Sequence, residues 1–213
     1  MRNQPSKERQ GRAHLRHRYL RIAAPAIRHT GKENRGASEI QSDSMKASAR
    51  FSGQPSNQAL RTILTAGLIA GFLDGMDAVV FIGWISGIAV HRVFQFIASG
   101  ALGVAAFRGG WPAVALGVFF HFTIALAAAT FYYLLSRKLP MILQAPFVWG
   151  PIYGVGVFLF MHYVVVPLSA APRQPPATAG AIANLIFSHV FFVGIPIALI
   201  NSRAYARALP AAN

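Results

Sequence analysis

Residues 61–83 read RTILTAGLIAGFLDGMDAVVFIG, and this stretch decides the fold class. A membrane-spanning helix needs about 20 largely apolar residues, which the stretch supplies. Three further stretches have the same character, and the segments between them carry Gly, Pro and basic residues typical of loops. They are residues 112–135, 147–168 and 179–201. The sequence therefore predicts an all-α membrane protein, a four-span transmembrane helix bundle within residues 59–204.

Composition and charge point in different directions. The 213 residues are 54% hydrophobic with a mean hydropathy of +0.43, yet the net charge is +14. A strongly basic chain favours a nucleic-acid partner, whereas the apolar content favours a membrane. Thirteen of the 20 Lys and Arg residues lie within residues 1–61, which resolves the conflict. We expect the lipid bilayer as the partner, and no nucleic acid.

The two ends of the chain differ from its apolar middle. Residues 1–58 mix Arg, Gln, Ser, Gly and Pro without a sustained period, which predicts a disordered basic cytoplasmic tail. Three interpretations stay open for the tail: a solvated cytoplasmic arm near anionic lipid, a nucleic-acid-binding arm, or, for residues 1–44, a gene-prediction artefact with Met45 as the true start. Residues 205–213 are expected to form a short cytoplasmic C-terminus.

The stretch 88–107, IAVHRVFQFIASGALGVAAF, is amphipathic. Its polar residues His91, Arg92, Gln95 and Ser99 share one helical face, which indicates an extra interfacial amphipathic helix. The competing interpretation is a fifth span.

The loop charges discriminate between four and five spans. With four spans and the N-terminus inside, seven basic residues near the span ends lie inside and three lie outside, as the positive-inside rule favours. The inside set is Lys46, Arg50, Arg61, Arg137, Lys138, Arg203 and Arg207. Five spans would move the last four of them outside. We therefore predict four spans with both termini cytoplasmic.

The first span carries both acidic residues of the membrane part, Asp74 and Asp77. Gly67, Gly71 and Gly75 form a stripe that lets another backbone approach closely, and we assign them to helix packing. Asp74 lies within about 20° of Gly67 on a helical wheel, so we expect it to point into the bundle. A mid-membrane carboxylate costs about 2.5–3.5 kcal/mol and usually has a partner.

Each remaining span carries one histidine: His121, His162 and His189. At about 1.5 Å per residue, these histidines and the two aspartates all fall within about 9–15 Å of the outer ends of their spans. We therefore predict an Asp/His polar cluster of Asp74, Asp77, His121, His162 and His189.

Three interpretations of the cluster stay open. It is a set of structural interhelical hydrogen bonds, a proton- or ion-responsive group, or a ligand set in which the three histidines hold a transition metal or haem. No metal-ligand spacing supports the last interpretation, so no cofactor is predicted. No nucleotide-binding or serine-hydrolase motif occurs, and nothing favours an enzyme.

The protein-level alternatives follow from these interpretations. They are a proton- or ion-responsive bundle, a metal- or haem-binding redox subunit, and a structural or partner-binding subunit without chemistry. A homo-oligomer through the Gly67/Gly71/Gly75 face, or a membrane partner subunit, is a further expectation.

The second half of the chain carries a resemblance. GGWPAVALGVFFHFTIALAAATFYYLLSRKLP (109–140), GPIYGVGVFLFMHYVVVPLSAAP (150–172) and SHVFFVGIPIAL (188–199) resemble small uncharacterised bacterial inner-membrane proteins, with the YagU-type proteins as distant relatives. The resemblance runs from about residue 60 to residue 202. It implies a helical bundle in the bacterial inner membrane and assigns no functional residue. The acid-stress connection of YagU-type proteins would fit titratable residues within the membrane.

Overall fold

The computed structural model describes residues 41–46, 56–85, 87–173 and 178–208. The chain divides into two units, Met1–Ser44 and Met45–Asn213. Of the first unit, residues 41–44 are described and are helical. The predictions of a disordered tail and of a gene-prediction artefact concern residues that lie almost wholly outside the described ranges.

The helices of the second unit are labelled α1 to α6 in chain order. Helix α1 comprises Ser56–Asp77 and the π-helical Ala78–Ile85; α2 comprises Val90–Leu102 and the 3₁₀ segment Gly103–Arg108; α3 is Gly110–Lys138; α4 is Met141–Gln144. Helix α5 comprises Pro146–Phe160, the π-helical Met161–Val165 and Val166–Leu168; α6 comprises Ala179–Ser188, the π-helical His189–Gly194 and Ile195–Ala208.

The described helices are those of a multi-pass membrane protein. Five segments are long and apolar enough to cross a membrane: Asn57–Ile85, Val90–Arg108, Gly110–Lys138, Pro146–Leu168 and Ala179–Arg207. The prediction of an all-α membrane bundle is confirmed. The segment Val90–Arg108 meets the length and composition of a span, so its course relative to the other helices decides its place in the topology.

Residues at the helix ends explain where the helices begin and stop. Helix α3 ends at Lys138 just before Leu139-Pro140, and a residue that precedes proline disfavours the helical region. Helix α5 begins at Pro146, whose missing N–H costs nothing in a first turn. Helix α6 begins after Thr178, whose hydroxyl oxygen accepts a hydrogen bond from the Ala181 N–H at 3.2 Å.

Two of the π-helical segments each contain one of the three predicted cluster histidines. His162 lies in Met161–Val165 and His189 in His189–Gly194. Pro167 and Pro196 each follow two residues after these segments. A proline cannot donate to the preceding turn, and a local π adjustment provides new partners for the freed carbonyls. Both histidines therefore sit in locally widened turns.

The long helices alternate in direction. Gly67 lies against Leu126 and Gly75 against His121, so α1 and α3 run antiparallel. The backbones of α5 and α6 are also antiparallel, because Gly150 meets Ile195 and Ala198 whereas Gly154 meets Val190. Helix α1 packs against both α3 and α6.

Both termini of helix α2 lie on the side of the bundle where α1 and α5 end. Val90 contacts Gly83 near the end of α1. Further along α2, the Gly100 carbonyl accepts a hydrogen bond of 2.9 Å from the N–H of Ala170, just beyond the end of α5. Between these points the backbone of Phe94 lies directly against Gly117 of α3. Helix α2 therefore connects the end of α1 with the end of α5 across the first half of α3.

Only half of the polar face of α2 is exposed. His91 and Arg92 are exposed, whereas Gln95 and Ser99 are buried against the bundle. Burial is tolerated because both side chains have partners. The Ser99 hydroxyl donates to the Phe96 carbonyl at 2.6 Å, and Gln95 accepts from Arg92 at 3.3 Å.

Candidate polar site within the helix bundle

Both carboxylates of α1 are hydrogen-bonded to side chains of α6. The Ser188 hydroxyl donates to Oδ1 of Asp74 at 2.6 Å, and the Asn184 amide donates to Oδ2 of Asp77 at 3.0 Å. A distance of 2.6 Å is typical of a charge-assisted O–H···O⁻ hydrogen bond. These two contacts form a ladder that joins α1 to α6, which we call the carboxylate ladder.

The ladder follows from residue spacing on two antiparallel helices. Asp74 and Asp77 are separated by three residues, and Asn184 and Ser188 by four, so each pair occupies one helical face. In antiparallel helices the earlier residue of one pair meets the later residue of the other. Asp74 therefore meets Ser188, and Asp77 meets Asn184.

The ladder is partly buried between α1 and α6. Ser188 is 3% exposed, and the two carboxylates are half-buried. Neither Asp74 nor Asp77 forms an ion pair with any residue of the described ranges. The donors that stabilise the two carboxyl groups are thus a neutral hydroxyl and a neutral amide.

His121 of α3 contacts the glycine stripe of α1. Its Nε2 lies 2.8 Å from the carbonyl oxygen of Gly71, and because a carbonyl only accepts, Nε2 carries the proton. The ring meets Phe94 and Phe122 edge-on, at centroid distances of 6.3 and 5.5 Å. Gly75 leaves room for the ring, since a Cβ atom there would lie 3.3 Å from Nε2.

His162 and His189 form a third group, around Phe158. The Phe158 ring stacks on His162 at 5.5 Å and meets His189 edge-on at 5.8 Å. His189 donates through Nδ1 to the carbonyl of Leu185 at 2.8 Å. His162 is exposed on the side of the bundle and also meets the Tyr163 ring, at 4.8 Å.

The five predicted cluster residues therefore fall into three groups. In the described part of the chain, the carboxylates bind Asn184 and Ser188, and no Asp–His hydrogen bond joins the groups. The predicted Asp/His cluster is thus divided, because α6 presents Asn184 and Ser188 to α1 and turns His189 toward Phe158. No group of three or more His, Cys, Asp or Glu residues in the described ranges could hold a metal ion.

Asn184 and Ser188 are the site residues that the sequence analysis missed. Asn184 is the one amide in the apolar stretch 179–200, and Ser188 follows it by a full helical turn. This i, i+4 polar pair on an otherwise apolar helix was the available signal. The prediction was placed on the adjacent His189 instead, because histidine is a residue type that commonly handles protons or binds metals.

The glycine stripe packs against α3 of the same chain. A Cβ atom at Gly67 would lie 2.9 Å from Cα of Leu126, and one at Gly71 would lie 2.9 Å from Cδ1 of Phe122. Both distances are too short for a side chain, so the close approach of α1 and α3 requires glycine. Within the chain, α3 thus covers the Gly67/Gly71/Gly75 face, and the expectation of a homo-oligomer stays a prediction.

The chain matches no protein-family model, no curated protein and no solved structure.

Proposed function

We propose that the protein is a proton-responsive membrane bundle in which the carboxylate ladder between α1 and α6 is the responding element. The observation that carries this proposal is the pairing of two intramembrane carboxyl groups with neutral donors, Ser188 on Asp74 and Asn184 on Asp77. Protonation of either carboxyl group removes a charge from an apolar site and converts a pure acceptor into a donor. The hydrogen bonds of the ladder therefore differ between the ionised and the protonated form of each carboxyl group.

The other titratable side chains near α1 contact residues outside the ladder. From α3, His121 faces the Gly71 carbonyl on the glycine side of α1. From α6, His189 follows Ser188 in sequence but packs on Phe158, as does His162 of α5. The carboxyl groups are thus the titratable groups that join α1 to α6.

The geometry favours a response over a proton relay. A relay needs hydrogen bonds from one titratable side chain to the next, directly or through water. His121 and His189 instead donate to the backbone carbonyls of Gly71 and Leu185. A contact that strengthens or weakens with protonation requires no such chain.

We propose a four-span topology with α2 as a segment that does not cross the membrane. Antiparallel α1 and α3 support this, because a crossing α2 between them would make α1 and α3 parallel. The basic residues support cytoplasmic ends: Arg137, Lys138, Arg203 and Arg207 then lie on the N-terminal side. The resemblance to small inner-membrane proteins supports the bacterial inner membrane as the location.

Cysteine labelling tests the topology, since the chain has no cysteine. In intact cells, Ile88→Cys and Arg108→Cys should react with a membrane-impermeant maleimide to the same extent, whereas Gln144→Cys should react only after lysis. Labelling of only one of the two α2 positions would establish five spans. All three positions are exposed in the structure.

A titration of stability tests the proton response. The free energy of unfolding is measured in lipid nanodiscs between about pH 4 and about pH 9, where carboxyl and imidazole groups titrate. We expect a pH-dependent free energy for the wild type and a flatter curve for Asp74→Asn/Asp77→Asn. His121→Phe is the matched control and should keep the wild-type slope. An unchanged slope in the double variant would refute the proposal.

A further inference from the structure

A groove lies between α3 and α5 and has a volume of about 760 Å³. Helix α1 packs against α3, α6 packs against α5, and α1 and α6 pack against each other. The cleft remains between α3 and α5. Small residues form part of its lining, namely Ala127, Ala128 and Gly156. A Cβ atom added at Gly156 would meet no atom within 4 Å, so the groove is open at that point.

The lining offers no unsatisfied polar group to a ligand. Tyr153 donates through its hydroxyl to the Ala128 carbonyl at 2.7 Å, and Tyr132 donates to the Ile142 carbonyl at 3.2 Å. The other lining residues are apolar apart from the indole of Trp149. A groove with this chemistry selects an apolar occupant, since water and polar groups would lose hydrogen bonds in it.

The length and one end of the groove identify the occupant more closely. The lining runs on α3 from Ile124 to Leu139, which is about 22 Å of helix and exceeds the roughly 15 Å depth of one leaflet. Arg137 and Lys138 immediately precede Leu139, the lining residue at one end of the groove, and both are exposed. Basic residues at this position attract anionic headgroups.

We infer that the groove between α3 and α5 is a binding site for one acyl chain of an anionic phospholipid, with the headgroup beside Arg137 and Lys138. This site is independent of the carboxylate ladder, which lies between α1 and α6. The bound chain covers the side of the bundle on which the backbones of α3 and α5 lie apart and the two helices touch through side chains such as Tyr153. The phospholipid is drawn from the surrounding bilayer.

Fluorescence quenching tests the site. Trp84→Phe/Trp111→Phe leaves Trp149, in the groove lining, as the one tryptophan of the chain. The variant is placed in phosphatidylcholine vesicles with increasing amounts of brominated phosphatidylglycerol or brominated phosphatidylcholine. We expect half-maximal quenching of Trp149 at an about 30-fold lower mole fraction of the anionic lipid, as two nearby basic residues provide. Lys138→Gln should reduce this preference.

Filling the groove should abolish the preference. Gly156→Leu places a side chain in the open groove, and Gly180→Leu is the matched control, because a Cβ atom at Gly180 also meets no atom within 4 Å. We expect equal quenching by the two lipids in Gly156→Leu and the full anionic preference in Gly180→Leu. Ala127→Leu, at an exposed lining position, repeats the test should Gly156→Leu fail to fold.

Three results would overturn the inference. The first is equal quenching by the two lipids in the wild-type background, and the second is an anionic preference that persists in both groove-filling variants. The third is a dimer in native mass spectrometry that Gly156→Leu converts to a monomer, which would assign the groove to a helix of a second copy.

Discussion

The two faces of α1 hold their neighbours by different means. Toward α3, Gly67, Gly71 and Gly75 bring two backbones together, so that interface depends on shape. Toward α6, Asp74 and Asp77 accept hydrogen bonds from Ser188 and Asn184, so that interface depends on polar side-chain contacts. One helix thus combines a contact made by close backbone approach with a contact made by carboxyl groups, and the proposed function assigns the proton response to the second.

The largest expected effect comes from filling the glycine face. Gly67→Leu would place a Cβ atom 2.7 Å from Cδ2 and 2.9 Å from Cα of Leu126, and the backbone atom cannot move aside by rotating. We expect a loss of about 3 kcal/mol in the free energy of unfolding, the upper range for overpacking. Reversible unfolding in mixed micelles measures it.

Gly180→Leu is the control for the same change in a helix with open space. It should alter the free energy of unfolding by no more than about 0.5 kcal/mol, as surface substitutions usually do. Equal effects of the two variants would show that α1 and α3 do not approach as closely as the structure describes.

An intermediate effect is expected in the carboxylate ladder. Ser188→Ala removes the hydroxyl that donates to Asp74, and a cross-helix hydrogen bond within a membrane contributes about 0.6–2 kcal/mol. A double-mutant cycle with Asp74→Asn isolates the interaction between the two side chains. We expect a coupling energy of about 1 kcal/mol at neutral pH that decreases in acid. A coupling energy that is zero at every pH would contradict the ladder.

The smallest effect is expected for His121→Phe. The substitution keeps an aromatic ring between Phe94 and Phe122 and loses one hydrogen bond to the Gly71 carbonyl. We expect a loss of about 0.6 kcal/mol in the free energy of unfolding, with the pH dependence unchanged. A pH dependence that disappears in His121→Phe would move the proton response from the charged face of α1 to its glycine face.

Sequence patterns predicted the helices better than the side-chain partners. Runs of about 20 apolar residues located the long helices, because the bilayer thickness sets one length for all of them. The glycine stripe was recognised as a packing face, since its spacing places all three residues on one side of α1. What the stripe packs against depends on the order of helices in the bundle, which no local pattern encodes.

The rotation of α6 explains the error in the polar site. Ser188 and His189 are adjacent, so they point about 100° apart on the helix and only one of them can face α1. The polar cluster was predicted to include His189, whereas in the structure Ser188 contacts Asp74 and His189 packs on Phe158. The backbone contact of Gly154 and Gly194 between α5 and α6 accompanies this rotation. Its glycines were visible in the sequence, but their pairing was not.

Pulsed electron–electron distance measurements between spin labels compare the two faces of α1 most directly. Met76→Cys/Phe187→Cys reports on α1 and α6, and Met76→Cys/Phe119→Cys on α1 and α3; all three positions are exposed and the chain has no other cysteine. Lowering the pH from about 8 to about 4 should change the α1–α6 distance distribution and leave the α1–α3 distribution unchanged. The change should vanish in Asp74→Asn/Asp77→Asn. An α1–α6 distribution that is the same at both pH values, or a change that persists without the carboxylates, would contradict the proposed proton response.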